Sequence, residues 1–483
     1  MYNSIQHFVK YGIPQLEENQ KTFMENPSLL GECAVRVKQI MLELGCQILS
    51  EMVEECNTML EDSVKRKIHW QIKDRSEKHL LTSLGTISFT HTRFEHKTIG
   101  ETAYLLDRIL GLSPHARLSE DAKASLLEEA AQSSYEKASQ LSGGEGRVSR
   151  ETVMRHVHRI HVPSYKKEEG GEKRRVKYLY VEADEDHIAL QFHKKKGDIK
   201  RWKGHGDNGQ IIKLVYVHEG YEESETKRKR LKEVVYFGGL YSGKENEKLW
   251  REVKEYIEGR YDREAIESIY FQSDGGSWMK KGIEMLGGSY VVDEFHMKKY
   301  IKRMLRITGE EGQEEEVMKY LERGEKKKLK EWAQEKGKGL EEKKRKRLEE
   351  SVGYLEKNWK GIRMRIKREE GVMGSSTESH ISHVLSARMS SRPMGWSKEG
   401  AGKLSELRIY WKNGRKTEEL LRVEKEEERK EEEERVYSAQ DVIKWEKRSR
   451  KRNGKYVEAL QATVSRQTGM RMYFQAAITG ICG

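Results

Sequence analysis

Three acidic residues, far apart in the chain, each stand at the edge of a different local pattern. Asp184 follows the apolar-rich residues 178–183, and Asp274 follows the apolar residues 269–273 and precedes two glycines. Glu378 lies at a predicted helix start. Side chains at neighbouring strand ends and on a nearby helix can converge, and such carboxylates can hold two hard divalent cations for phosphoryl transfer. The fold must then bring these distant strand ends together.

Each of these positions also has an ordinary structural interpretation. An Asp at a strand end is usually a turn residue, and Asp274 followed by glycine is a common turn signal. Glu378 in a first helical turn would complement the helix dipole. Asp186 and Glu182 would share a face with Asp184 if the strand continued. The sequence leaves open whether Asp184 or Asp186 is the first metal ligand.

Four further polar side chains accompany the acidic set. Asp293 and His296 are three apart at a predicted helix start. They would lie on one side of the first turn, where they could contact the scissile strand or support the metal ligands. His380 and Arg388 follow Glu378 and would form a phosphate-facing surface.

A second candidate site lies in residues 119–162. The pattern predicts a helix capped by Ser119, a second helix from residue 134, a glycine break at 143–146 and a third helix capped by Ser149. The predicted buried face of the third helix consists of Val153, Val157 and Ile160. Its outward face would contact DNA through Arg150, Arg155, His156 and Arg159. This is the helix-turn-helix pattern, although many simple helical hairpins share it.

The charge balance favours a polyanionic partner. Lysine plus arginine total 92 against 80 acidic residues, a formal net charge of +12, and such a balance favours phosphate neutralisation. The four cysteines form no Cys-x-x-Cys pair, which predicts neither a zinc site nor a disulfide scaffold. The N-terminus has no signal pattern, and no stretch approaches the roughly 18 apolar residues that span a bilayer. We expect a cytoplasmic protein without a membrane partner.

The order of predicted elements indicates an α+β multidomain chain. Residues 15–72 have a helical pattern, and a β-hairpin follows within 80–97, where His91 and His96 are interpreted as surface residues. Strand-like segments at 177–184, 187–193, 211–218 and 234–238 precede a helix, a strand and more helix. This approximates the order of a ribonuclease H-like α/β core.

The predicted organisation has seven regions. They are an N-terminal helical region (1–75), a small β-hairpin region (76–118), a helix-turn-helix DNA-binding region (119–162), the first part of the ribonuclease H-like core (175–309), an all-helical insertion (310–371), the closing helix of the core (372–410) and a charged C-terminal segment (411–483). Most charged residues of the insertion are interpreted as solvated helix faces.

Whole phrases of the sequence, in this order, resemble a known family. They include Val148–Met154, Val181–His187 (Val-Glu-Ala-Asp-Glu-Asp-His), Asp274–Trp278 (Asp-Gly-Gly-Ser-Trp), Asp293-x-x-His296 and Ser376–His380 with Ser386-x-Arg388. The chain resembles the DDE transposases of the bacterial insertion-sequence family ISLre and, more distantly, the mutator-like transposases.

The resemblance implies an enzyme that moves an insertion sequence. Its acidic triad would be Asp184, Asp274 and Glu378, which would hold two Mg²⁺ ions, with Mn²⁺ as a substitute. Water would cut DNA at the terminal repeats, and the freed 3′-hydroxyl would attack a target duplex. A homodimer or higher oligomer would hold the two element ends in a nucleoid-associated complex.

Two other functions remain open from the sequence. A decayed or domesticated copy would bind DNA without catalysis, and a structure-specific nuclease would cut without strand transfer. Metal-dependent cleavage separates the first from an active transposase, and joining of a donor end into a plasmid separates the second.

Overall fold

The computed structural model describes residues 3–113, 115–140, 148–163, 172–191, 209–223, 229–367, 370–392, 394–423 and 425–426. They form a mixed α/β multidomain structure with two compact units. One unit comprises the residues up to His156 together with those from Lys416 onward, and the other comprises Val157–Arg415. Four predicted features lie wholly or partly outside the described residues: the glycine break at 143–146, most of the linker before residue 172, the end of the strand predicted at 187–193, and the C-terminal segment beyond residue 426.

The first unit begins with helices that pack against a small antiparallel sheet. Its first five helices are α1 (Asn3–His7), α2 (Ile13–Glu25), α3 (Leu30–Asp62), α4 (Val64–His69) and α5 (Leu105–Leu110). Its strands are β1 (Trp70–Leu81), β2 (Thr86–His96) and β3 (Thr102–Ala103), in the order β1-β2-β3. β1 and β2 form a hairpin that starts at Trp70, well before the range 80–97 in which it is predicted, and its core includes Leu60, Phe89 and Phe94.

Two expectations for this region are wrong. The helical pattern was extended to Ile72, whereas β1 begins at Trp70, because aromatic and β-branched residues pack well on a pleated surface. His91 was interpreted as a surface residue, but it is 8% exposed. It is buried because its ring stacks on Tyr104 at 3.7 Å and its Nε2 lies 3.0 Å from Asp107 Oδ1.

Three helices follow in the region with the helix-turn-helix pattern. They are α6 (Glu120–Gln132), α7 (Tyr135–Gln140) and α8 (Arg150–Arg159). The Ser119 hydroxyl accepts a hydrogen bond from the Ala122 N–H, so it caps α6 as predicted. Val153, Val157 and Ile160 are each at most 1% exposed, which confirms the predicted buried face.

A mixed sheet forms the centre of the second unit. Its path is β10-β9-β4-β5-β8, and β11 pairs with β4. The members are β4 (Tyr178–Leu190), β5 (Gly209–His218), β8 (Val235–Gly239), β9 (Ser268–Ser273), β10 (Ser289–Val292) and β11 (Gly395–Trp396), while β6 (Tyr221–Glu223) and β7 (Lys229–Leu231) form a separate hairpin. β4, β5 and β8 are antiparallel neighbours, and β4, β9 and β10 are parallel neighbours.

The predicted strands 177–184 and 187–193 are one strand, β4, rather than two. The polar residues between them interrupt the apolar pattern, but Glu185 and Asp186 pair in register with Lys213 and Ile212 of β5. The backbone ladder therefore continues through a polar stretch because its hydrogen bonds do not depend on side-chain type.

Helices cover both faces of this sheet. They are α9 (Asn246–Arg260), α10 (Ser277–Leu286), α11 (Glu294–Thr308), α12 (Glu314–Arg323), α13 (Lys326–Lys336), α14 (Glu342–Lys357), α15 (Trp359–Lys367), α16 (Thr377–Ile381), α17 (Ala387–Met389) and α18 (Lys398–Lys412). On one face, Leu179 and Val181 pack in a core with Trp250 of α9 and Trp278 of α10. On the other, Tyr180, Tyr270 and Val291 pack with residues of α15 and the loop after it.

The stretch predicted as a helical insertion folds as α12 to α15. Its apolar residues form a core rather than isolated contacts on solvated helices. Leu329, Leu348 and Ile362 pack with Ile301 and Leu305 of α11 in one buried cluster. The insertion thus extends the core of the second unit from α11 outward.

The stretch predicted as one closing helix is interrupted. α16 continues through a π-helical turn (Ser382–Ser386) into α17, and the chain then enters β11 before α18 begins. Across the described part of the chain, no helix combines the length and apolarity needed to cross a membrane.

Candidate active site

Asp184 and Asp274 occupy equivalent positions on neighbouring parallel strands. β4 and β9 pair from Tyr178↔Ser268 to Glu182↔Gln272, a constant offset of 272 − 182 = 90. Asp184 and Asp274 are also 90 apart, so they lie two steps beyond the last pair of this ladder. Both carboxylates therefore lie just beyond the end of the β4–β9 ladder, although Asp184, which the sequence predicts at a strand end, lies in the middle of β4.

A tight turn holds Asp274 in place. Its Oδ1 accepts a hydrogen bond from the Gly276 N–H at 2.9 Å. Gly275 has φ +86°, and a Cβ at that position would lie 2.3 Å from Asn358 Oδ1. Glycine is required here both by the left-handed backbone and by the close approach of the insertion.

Glu378 lies in the first turn of α16 and acts electrostatically on Asp184. Burial, together with the negative charges of Asp274 and Glu378, raises the pKa of Asp184 to about 7 against a lowering influence of His296. A hydrogen bond from the Glu185 N–H at 2.8 Å also opposes the shift. Three carboxylates and one imidazole therefore share one electrostatic environment.

Asp293 and His296 form a coupled pair at the start of α11. Asp293 Oδ2 accepts hydrogen bonds from the His296 N–H at 3.0 Å and from Nδ1 of its ring at 2.9 Å. This bond to Asp293 raises the pKa of His296, and the charges of Asp184 and Asp274 raise it further. The Asp293 N–H donates to the Ser273 carbonyl at 2.9 Å, which places the pair beside Asp274.

Asp186 has different surroundings. Its Oδ1 accepts hydrogen bonds from the Ser386 and Ser390 hydroxyls at 3.1 and 2.7 Å, and its side chain is buried. Burial raises the pKa of this carboxyl. Of the two aspartates that the sequence left open, Asp184 is the one influenced by Asp274 and Glu378, and Asp186 fastens the π-helical turn and the end of α17 to β4.

His380 and Arg388, predicted to face phosphate, lie within the protein. The His380 ring stacks on Tyr216 at 4.7 Å, its Nδ1 lies 2.7 Å from the Tyr236 hydroxyl, and burial lowers its pKa to about 4. Arg388 is 6% exposed, with its guanidinium 4.9 Å from the Trp396 ring centre. These positions favour packing roles for both residues.

Glu182 is a functional candidate that the sequence did not single out. Its carboxylate is completely buried, and it accepts hydrogen bonds from the Ser376 N–H at 2.9 Å and the Thr377 hydroxyl at 2.7 Å. Further contacts come from Ser375, Tyr216 and His218. Burial alone would raise the pKa of Glu182, but these hydrogen bonds, above all that from His218, hold it below its usual value. Glu182 thereby fixes the start of the helix that carries Glu378.

Arg365 of α15 ties the insertion to the same region. Its Nε donates to the Val292 carbonyl at 3.1 Å, and its Nη2 donates to Gln272 Oε1 at 2.6 Å. A third hydrogen bond goes to the Met373 carbonyl in the loop before α16. No local sequence signal marks Arg365 or Glu182, because most of their partners are between 34 and 195 residues away.

The chemistry of this donor set suits hard divalent cations, which prefer oxygen ligands. Asp184, Asp274 and Glu378 are the residues that could hold them, and the negative charges of Asp274 and Glu378 add to burial in raising the pKa of Asp184. The described residues contain no preformed group of three or more His, Cys, Asp or Glu side chains at metal-binding geometry. A cation would have to draw these carboxylates closer together.

The second candidate site, α8, presents a basic surface. The Ser149 hydroxyl accepts a hydrogen bond from the Thr152 N–H at 3.1 Å, which caps the helix. Arg150, Arg155 and Arg159 are exposed and His156 is half-buried. Cations on the face opposite the buried valines are able to contact phosphate.

The chain was compared with known proteins. The profile of the family described as "Uncharacterised protein family (UPF0236)" matches residues 23–429. Two similar proteins are UPF0236 proteins of Caldanaerobacter subterraneus subsp. tengcongensis. One, whose name joins eleven locus designations, is 34% identical over 394 residues, 81% of this chain and 79% of its own. Another is 35% identical over 386 residues, 79% of each chain.

Proposed function

The chain belongs to the uncharacterised protein family UPF0236, and from that premise we propose that it is a DDE transposase of the ISLre type. In this proposal it cuts DNA at the ends of an insertion sequence and joins them to a target duplex. The observation that carries the proposal is the position of Asp184 and Asp274, each two residues beyond the last pair of the parallel β4–β9 ladder, with the charge of Glu378 acting on the Asp184 carboxyl.

The topology of the second unit supports this assignment. Along the chain, three antiparallel strands come first, with the β6–β7 hairpin between the second and the third. A helix, a parallel strand, a helix and a second parallel strand follow. We interpret this order as a ribonuclease H-like core, whose carboxyl-end strand edge is where ligands bind in open α/β sheets. α12 to α15 are then an insertion ahead of the helix that bears the third carboxylate.

The proposed site would bind two Mg²⁺ ions, or Mn²⁺, through Asp184, Asp274 and Glu378. When bound, these ions would activate the attacking oxygen and stabilise the leaving oxygen of the phosphodiester. Gly275 and Gly276 leave the backbone beside Asp274 without side chains, which permits close approach of a phosphate.

The residues around the carboxylates have separate proposed tasks. Asp293 holds Nδ1 of His296, so the ring's other nitrogen is the one that can donate a proton to a phosphate oxygen. Glu182 orients the first turn of α16 through Ser376 and Thr377 and so positions Glu378 without touching DNA.

Two further observations support DNA as the partner. The chain has a formal charge of +12. α8, which is the third helix of the helix-turn-helix pattern, exposes arginines. One relative's name joins eleven locus designations of one bacterium, which is the copy pattern expected of a mobile element. We propose that a homodimer or higher oligomer holds the two terminal repeats.

The test is cleavage of a duplex that carries the end of the encoding element. Wild type should cut in Mg²⁺, whereas Glu378→Gln should bind the duplex and leave it intact. Glu399→Gln is the matched control, because Glu399 is an exposed first-turn glutamate of α18 and should be dispensable.

Two results would redirect the assignment. Tight end binding without cutting by wild type in Mg²⁺ or Mn²⁺ would leave a DNA-binding protein with an inactive site. Cutting without joining of a labelled end into a plasmid would identify a nuclease.

A further inference from the structure

An aromatic side chain stands exposed beside the carboxylates. Phe295, in the first turn of α11, is 51% exposed, whereas Met297, Ile301, Met304 and Leu305 on the other side of that helix are at most 3% exposed. A single exposed apolar residue carries no information by itself. The exposure of Phe295 is informative because of its position and its neighbours.

Phe295 is fixed relative to the catalytic edge of the sheet. Its ring centre lies 5.4 Å from that of His296, edge to face. His296 is held by Asp293, whose N–H is bonded to the Ser273 carbonyl just before Asp274. The short, bonded start of α11 therefore places the Phe295 ring next to the proposed site of cleavage.

Positively charged side chains follow Phe295 along the same face of α11. Lys299, Lys302 and Arg306 follow Phe295 at spacings of four, seven and eleven residues, which a period of 3.6 places on one side of the helix. All three are exposed, and Lys299 Nζ lies 5.9 Å from the Phe295 ring centre. With a rise of 1.5 Å per residue, the face runs for about 16 Å.

The charge of this helix is strongly one-sided. Lys298, Lys299, Lys302, Arg303 and Arg306 stand against a single carboxylate within α11, Glu294. Arg306 pairs with Glu311 at 3.4 Å, but both side chains are more than two-thirds exposed. Exposed pairs are weak, so a phosphate can replace this partner.

We propose, on the basis of the proposed function, that this face of α11 binds a single DNA strand with an unpaired base. Phe295 stacks on the unpaired base beside the cleavage site, and Lys299, Lys302 and Arg306 contact the phosphates that follow it. An aromatic platform next to a row of cations is the combination that binds unpaired nucleic acid. Enzymes that act on DNA stabilise extruded bases in this manner.

Fluorescence of 2-aminopurine tests the stacking directly. The full-length protein is mixed, without divalent metal, with an element-end duplex that carries 2-aminopurine as one unpaired nucleotide. Wild type should quench the probe and bind this duplex more tightly than the fully paired one. Phe295→Ala should abolish the quenching and weaken binding about tenfold, while affinity for the paired duplex stays unchanged.

Further variants separate stacking from folding and from charge. Phe295→Trp should restore quenching, and Phe295→Leu, which keeps an apolar side chain, should not. Tyr11→Ala is the matched control, since Tyr11 is an exposed aromatic residue of the other unit, 47% exposed. Changing both Lys299 and Lys302 to alanine should lower the salt slope of single-strand binding by about 1.4, at 0.7 for each phosphate contact.

Equal quenching by wild type and Phe295→Ala, with both proteins folded, would overturn the inference. The result is independent of cleavage because no metal is present. An enzyme that cuts normally but shows no Phe295-dependent quenching would refute this inference alone. Quenching that depends on Phe295 in a protein that never cuts would refute the transposase proposal alone.

Discussion

Two carboxylates on one face of β4 are held in opposite ways. Glu182 is completely buried and surrounded by hydrogen-bond donors, which hold its pKa below the usual value. Asp184, two residues further on, faces other carboxylates, and burial together with their charges raises its pKa to about 7. The environment, rather than the residue type, distinguishes them, and in the proposed function the first has a positioning role and the second binds a cation.

The raised pKa of Asp184 makes a prediction for the metal-free protein. The folded state retains a proton near pH 7 that the unfolded chain releases near its ordinary value of 3.8. The Asp184 contribution to the free energy of unfolding is therefore complete below about pH 4 and is lost as the pH rises to about 7. Urea denaturation should show wild type losing up to about 4 kcal/mol relative to Asp184→Asn across this window.

Addition of Mg²⁺ should reduce that loss, because a cation favours the ionised carboxylate. Asp62→Asn is the control, since Asp62 is 78% exposed and should show no such difference. A wild-type difference from Asp184→Asn that stays constant with pH would contradict the described environment of Asp184.

Removal of the Glu182 carboxylate should be severe. Glu182→Ala leaves the buried Tyr216, His218 and Thr377 groups without their shared acceptor, which should lower the free energy of unfolding by about 3 kcal/mol. Glu222→Gln, at an exposed position, should change it by less than about 0.5 kcal/mol in the same urea titration. If the two variants had similar free energies of unfolding, Glu182 would not anchor the start of α16.

At the scale of elements, the turn between β9 and α10 is where two parts of the second unit meet. Gly275→Ala would strain a backbone at φ +86° and bring a Cβ to 2.3 Å from Asn358 Oδ1. We expect a loss of about 2 kcal/mol in the free energy of unfolding and a loss of cutting. Asn358→Ala in the same chain should recover the steric part of this loss and leave the backbone part.

A glycine elsewhere provides the comparison. Gly353 lies inside α14, and a Cβ there would meet no atom within 4 Å. Gly353→Ala should therefore stabilise the protein by about 0.5–1 kcal/mol. If Gly275→Ala behaved in the same way, the turn would be less constrained than described.

Element by element, the sequence predicted what local periodicity controls. The helical period identified Val153, Val157 and Ile160 as buried, and the strand pattern correctly ended β9 just before Asp274, but it also ended a strand at Asp184, which lies inside β4. Local pattern failed where a distant partner decides burial. Ser386 and Ser390, which donate hydrogen bonds to Asp186, are 200 and 204 residues away from it in the sequence. His91 is likewise buried in contact with the carboxylate of Asp107.

At the scale of the whole molecule, the boundary between the two compact units falls within α8, and Arg159 lies in the second unit. Arg150 and Arg155 belong to the first unit and the acidic residues to the second. DNA binding and DNA cutting should therefore be separable by substitution. Arg150→Ala combined with Arg155→Ala should weaken end binding and lower the salt slope by about 2, with no change in thermal stability.

The control for this prediction is a pair of cations outside both candidate sites. Lys248→Ala with Lys254→Ala, on α9, removes the same charge from the protein and should leave the salt slope nearly unchanged. Equal effects of the two pairs, measured by fluorescence anisotropy in a salt series, would show that α8 is not a specific DNA contact.

The hydrogen bond between Glu182 and Ser375 can form only late in the synthesis of the chain. These residues are 193 apart, so at about 5–20 residues per second a ribosome makes the second roughly 10–40 s after the first. Until then the nascent chain lacks Glu378. The Glu182 carboxylate also lacks the hydrogen-bond donors of Ser375, Ser376 and Thr377, which directly precede Glu378. A chain released before residue 378 would therefore lack the third carboxylate of the proposed site and, under the proposed function, could not cut DNA.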